Sequence, residues 1–416
     1  MNRRDFARSV GGASIGLLIG EDLWARYAAL PPGQLAQDEA FWAEIRRRYL
    51  LTTDYINLEN GYYSMQAQPV LEAFIGRVRE VNLRASYYMR TRQFDDKAAV
   101  RDRLAALAGV PPAELIVTRN TTESLDTVIG GFPWQAGDEA VMAAQDYGAM
   151  LDMFRLQARR HGIVNRVVSL PPDPASDEEV VSLYEGAVTP RTRLLMVCHM
   201  VNITGQILPV AKIADMAHGH GVRVMVDGAH SFAQLDFQVP DLRADYFAAS
   251  LHKWLGAPLG AGILHVRRDR IAELWPTFAD LSFADDDIRK LNHTGTHPVH
   301  TDLAINDALD FHLSIGTARK EARLRYLQHH WTDQVRGRRG ISLNTPSDPR
   351  RSCAIANVAV AGLEPAALAR TLLERYRIWT VAIDGAGVRG VRVTPQLFTT
   401  TAELDALVRA LTELAG

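Results

Sequence analysis

From about Pro69 to Val266 the chain alternates helical periodicity with short β-branched runs, at residues 114–118, 193–197, 223–226 and 262–266. Runs that short and that apolar suit strands buried on both faces. Strand, helix, strand in repetition folds as α/β, a mostly parallel sheet covered by helices, with ligands at the carboxyl ends of its strands. Residues 301–338 then read as one long linking helix. The pattern restarts beyond it: an apolar run at 357–361, a helix around 365–376, a second run at 388–394 and an amphipathic helix at 401–414 make a smaller α+β unit. The expected division is a leader at 1–30, a segment at 31–65 packing with the small domain, a large domain at 66–300, the linking helix, and a small domain at 339–416. Proline-rich breaks at 171–174 and 345–349 read as surface loops.

A chain of 416 residues with a formal net charge of −2 and no long single-sign run lacks the electrostatic footprint of a nucleic-acid binder. Cys198 and Cys353 have neither CxxC spacing nor a nearby His pair, which removes dithiol and zinc-cluster chemistry and leaves one disulfide between them open. Both sit in apolar runs, as small buried hydrophobes do. At the amino terminus, Asn2-Arg3-Arg4-Asp5-Phe6 precedes a Gly-rich apolar run from Val10 to Gly20. That resembles a twin-arginine signal, which implies export of a folded protein to the periplasm; small residues around Ala25 to Ala29 are the candidate cleavage region. The run is about half the ~20 residues that span a bilayer, so a membrane-embedded protein is not expected.

The chemistry-bearing constellation is Asp227, at the end of the run Val224-Met-Val-Asp227, followed twenty-six residues later by Lys253 in Ser250-Leu-His-Lys253. Alone, such an Asp is an ordinary helix cap and such a Lys an ordinary surface charge. Together on an α/β pattern they match pyridoxal 5′-phosphate (PLP) chemistry: a lysine amine bonds the aldehyde, and a carboxylate keeps the pyridine nitrogen protonated so that the ring accepts electrons. Lys253 is then both the cofactor's anchor and the acid or base at the substrate carbon. The phosphate needs an anion site, which Arg119-Asn-Thr-Thr-Glu-Ser124 supplies as a strand end running into a helix start. Thr121 and Thr122 are the candidate phosphate ligands, with Ser250 and His252 closing the other side; simple helix capping by one threonine is the alternative.

The motifs TTES, DGAH and SLHK, so spaced, resemble the class V aminotransferase superfamily, PLP enzymes of fold type I, and its isopenicillin N epimerase-like branch most closely, from roughly Ala40 to the end. The resemblance implies further roles. Tyr147 falls where the family stacks a ring on the pyridine, Asn202 where an amide contacts the 3-oxygen, and His230 where desulfurases carry Gln and the epimerase-like branch His. Thr296 matches a residue reaching the neighbouring subunit's phosphate, which implies a homodimer with shared sites. Arg392 matches the arginine that holds a substrate carboxylate, a task suited to its planar fork; Arg389 is the second choice.

A desulfurase also needs a nucleophilic Cys shortly before that arginine, and residues 377–390 have none. The expected activity is therefore aminotransferase-like, on the amino group of a small amino-acid or peptide-like metabolite after export, with epimerisation or elimination as alternatives and a catalytically silent scaffold as the non-enzymatic one. The loops carrying Tyr62 and Arg90 are candidates to touch substrate.

Overall fold

The computed structural model describes residues 27–416, so the twin-arginine-like sequence lies outside the described residues. A two-residue strand β1 (Ile56–Asn57) precedes the main sheet. Strands β2 (Leu115–Thr118), β3 (Glu139–Ala143), β4 (Val164–Val168), β5 (Thr192–Cys198), β6 (Arg223–Asp227), β7 (Tyr246–Ser250) and β8 (Gly262–Val266) then form one sheet in the order β2-β8-β7-β6-β5-β3-β4. Both pairings of β8 are antiparallel and the rest are parallel, so the sheet is mostly parallel.

Alternate residues feed two separate cores, as the period of a strand requires. Val141, Val197, Val226 and Ala249 pack on one face, and Met142, Met196, Met225 and Ala248 on the other. Helices Thr121–Gly131 and Gly148–His161 cover the second face, and helix Val210–Gly219 covers the first. This is the α/β architecture of fold type I.

The single linking helix expected over 301–338 is two helices. Gly316, at φ 91° and ψ 139°, separates Val299–Ile315 from Thr317–Val335. That conformation costs glycine little and an L side chain much, and the chain turns there. The second helix delivers Trp331 into the core of the carboxyl-terminal unit. In that unit β9 (Ile341–Leu343), β10 (Ala356–Val360), β11 (Ile378–Trp379), β12 (Val381–Gly385) and β13 (Val388–Val393) include an antiparallel sheet ordered β12-β13-β10-β9. Helices Pro365–Tyr376 and Thr401–Ala415 cover it, the latter opened by a Thr400–Glu403 capping box.

The amino-terminal segment runs along this unit. β1 pairs in parallel with β11, and Arg46 forms an ion pair with Glu403 at 2.8 Å. Arg323 ties three parts of the chain: its buried guanidinium donates to the Ala36 carbonyl at 2.9 Å, to Glu39 at 2.6 Å and to the Thr399 carbonyl at 3.3 Å. From the large domain, Gln145 Nε2 donates to the Ala386 carbonyl in the β12–β13 turn at 2.9 Å, while its Oε1 accepts the Leu170 N–H at 2.9 Å. Among the described residues no helix is long and apolar enough to cross a membrane.

Candidate active site

The segments leaving β2, β3, β5, β6 and β7 converge on a cavity of about 300 Å³, where open α/β sheets bind ligands. Thr121, Thr122, Tyr147, Asn202, Asp227, His230, Ser250, His252, Lys253 and Arg392 all line it. Thr296 does not: it sits in an exposed loop apart from this cavity. Arg389 is also outside, exposed and paired with Asp384 and Glu364. Arg90 lies exposed on helix Gln68–Thr91, whereas Tyr62 is at the cavity's edge.

At one end the sequence builds an anion cradle. Asn120, extended at the end of β2, caps helix Thr121–Gly131 by accepting the Glu123 N–H at 2.8 Å, so neither threonine is the cap. The Thr121 N–H donates to Ser250 Oγ at 3.0 Å and the two hydroxyls lie 2.7 Å apart, which joins the β2 and β7 ends. Thr122 stands in the helix's first turn, where free N–H groups favour an anion. Gly262 makes room for this approach: a Cβ there would lie 2.7 Å from Asn120 Cα.

Asp227 closes β6 with its carboxylate buried and one oxygen accepting the Ala229 N–H at 2.9 Å; burial raises its pKa. Lys253 follows β7. Burial lowers its ammonium from 10.5 to about 8, a fall that the Asp227 charge opposes. Its Nζ lies 3.0 Å from His230 Nε2, and the other ring nitrogen of His230 accepts from Trp254 Nε1 at 3.3 Å. Burial, then the neighbouring Lys253 charge, holds His230 well below the usual histidine range. His252, also by burial, falls to about 4. Tyr147 precedes helix Gly148–His161 with 46 % of its surface exposed, so its ring is open to a ligand.

Arg392, from β13, is not free. Glu59 grips the side of its fork, with Nη2 to Oε1 at 2.6 Å and Nε to Oε2 at 3.1 Å, and Asn202's carbonyl accepts from Nη1 at 3.1 Å. Reading the sequence missed Glu59 and Trp254. No local signal marks Glu59, whose partner is distant in the chain, whereas Trp254 directly follows Lys253. Cys198 lines the cavity and Cys353 does not; both are buried free thiols, so the disulfide left open does not form.

The groups present fit PLP: an amine with a lowered pKa, a buried carboxylate at the next strand end, and a helix start that glycine leaves clear. A mostly parallel sheet carrying that set defines a PLP-dependent enzyme of fold type I, and its cofactor is PLP. Residues 63–410 match the family Aminotransferase class-V, and the chain belongs to it. It is 30 % identical over 394 residues to an isopenicillin N epimerase of Streptomyces clavuligerus, covering 91 % of this chain and 99 % of that protein. It is 27 % identical over 393 residues to a probable cysteine desulfurase of Halobacterium salinarum, with 86 % and 91 % covered. A solved structure of a C-DES mutant with glycine covalently linked to its PLP cofactor shares the fold at a TM-score of 0.79 and 23 % identity, over 89 % of this chain and 99 % of that one.

Proposed function

We propose that this chain is an aminotransferase-like PLP enzyme acting on the amino group of a small amino-acid or peptide-like metabolite, after export and as a homodimer. The observation that carries the reading is the buried Lys253 amine beside Asp227, at neighbouring strand ends in a cavity open to small molecules. Bound PLP supplies an electron sink for the carbon that bears the amine. Thr121, Thr122, Ser250 and His252 would hold its phosphate, Asp227 would keep the pyridine nitrogen protonated, Tyr147 would lie against the ring and Asn202 would serve its 3-oxygen, while His230 stands against Lys253. Lys253 takes the proton from the substrate carbon and returns it. An amine titrating near 8 does both around neutral pH. Thr296, away from its own chain's cavity, is the residue through which the partner subunit would be reached.

Epimerisation is the second reading, favoured by full-length likeness to an isopenicillin N epimerase. Desulfuration is disfavoured: both thiols are buried, and burial pushes Cys353 up to about 12.

The test is an absorbance spectrum of the purified protein beside Lys253→Ala, with and without amino acids and small peptides, followed by product analysis in D2O. The expected result is a near-visible band absent from the variant, plus a carbonyl product. Solvent deuterium in an inverted amine selects epimerisation, and a protein with no such band after added PLP overturns the proposal. Fractionation of cells carrying Arg3→Lys/Arg4→Lys tests export, and sedimentation tests the dimer.

A further inference from the structure

Arg392 is the cavity's candidate carboxylate anchor, yet its charge is already matched. Side chains of Arg392 and Glu59 are 9 % and 6 % exposed, and their two hydrogen bonds form the parallel fork that makes such pairs strong. Glu59 is fixed in turn: Oε1 also accepts the Tyr62 N–H at 2.9 Å, and the Glu59 N–H donates to Asn57 Oδ1 at 3.1 Å. The remaining approaches to the guanidinium are crowded. Asn202's carbonyl takes Nη1, and a Cβ on Gly61 would lie 3.1 Å from both Cζ and Nη2, so the backbone there packs against the plane. A substrate carboxylate arriving at Arg392 would place a second anion on one buried cation. One of the two negative charges would then lack compensation in a site largely out of water, which is strongly unfavourable.

We infer that Glu59 is a specificity-determining residue that turns Arg392 from a carboxylate anchor into a neutral wall. The site then selects amines whose reacting carbon bears an uncharged group: a carboxamide, a peptide linkage or an alkyl chain. This rests on the reading of the cavity as an amine-processing PLP site and narrows its substrate class. Within that class an amino-terminal residue of a peptide-like molecule fits, because its carboxyl carbon is an amide.

The experiment titrates the cofactor-loaded protein with matched pairs, L-alanine against L-alaninamide and L-phenylalanine against L-phenylalaninamide, following the shift of the near-visible band. Concentrations are expressed as unprotonated amine, since the amides are weaker bases. The expected result is half-maximal shift at concentrations at least ~10-fold lower for the amides, and a Glu59→Gln variant in which that ratio falls by ~10-fold or more as Arg392 is released. An acid preferred or equal to its amide in the unaltered protein overturns the inference, as does an unchanged ratio in a Glu59→Gln protein that keeps the band. If the variant does not fold, the ratio in the unaltered protein decides alone. If neither member of any pair shifts the band, the amine-site reading itself falls and this inference falls with it.

Discussion

His230 Nε2 and Lys253 Nζ lie 3.0 Å apart, and the Trp254 indole N–H donates to the far nitrogen of the same ring. An accepting Nδ1 carries no hydrogen, so the neutral ring carries its proton on Nε2 and points it at Lys253. Only an uncharged amine can accept it. Trp254 therefore acts as a positioning residue that favours the neutral amine through His230. Trp254→Phe removes the donor, lets Nε2 accept from an ammonium instead, and should raise the Lys253 pKa above about 8. The check is the pH dependence of PLP reloading into the apo protein. The neutral amine is the reactive form, so the rate climbs as pH rises through the folded pKa, and the variant's climb is displaced to higher pH.

Asp227 opposes the effect of burial on the same lysine. Asp227→Asn should leave the fold intact and PLP bound, move the Lys253 inflection to lower pH, and reduce turnover by about 10²–10⁴-fold. Reloading rates read the first effect independently of the second. A variant with full turnover would remove Asp227 from the chemistry.

Gly262→Ala places a methyl where the backbone of Asn120 already stands. Because Asn120 opens the helix that carries Thr121 and Thr122, the displacement falls on the phosphate cradle. PLP affinity is expected to drop by more than ~10-fold, about 1.4 kcal/mol, measured by equilibrium dialysis. Gly260→Ala, at a glycine whose Cβ has no heavy atom nearer than 3.9 Å but whose φ is +87°, separates backbone strain from crowding.

Arg323→Ala strips hydrogen bonds from the Ala36 and Thr399 carbonyls of two buried residues, while Glu39, 43 % exposed, is released to water. Denaturant unfolding should show a loss of about 2–4 kcal/mol, from the two carbonyls left without that donor. The near-visible band should persist in the folded fraction, because Arg323 does not line the cavity.

Local pattern carried much of this architecture. The run expected at 262–266 is β8 (Gly262–Val266), the helix expected around 365–376 is Pro365–Tyr376, and the run at 223–226 gains only Asp227. Continuous apolar stretches and helix caps announce themselves within a few residues. Gly316 did not, because a glycine inside a helical period reads as a tolerated cost until its dihedrals are known. Glu59 was illegible for a different reason: its partner is 333 residues away, and nothing local distinguishes a buried fork from a solvated charge. Trp254 stood beside Lys253 in plain view, but its use depends on the tautomer of a ring 24 residues earlier.

Gln145 stands two positions before Tyr147, and it is held at both ends: its amide nitrogen by the Ala386 carbonyl, its amide oxygen by the Leu170 N–H. The Gln145 side chain thus joins the β12–β13 turn to the loop that presents the Tyr147 ring. A rotation of the carboxyl-terminal unit that breaks the Ala386 bond leaves the Gln145 amide held within the large domain, by the Leu170 N–H at 2.9 Å and by Ser169 Oγ at 3.3 Å. The carboxyl-terminal unit therefore reaches the Tyr147 loop through the Gln145–Ala386 hydrogen bond, a latch rather than a strut.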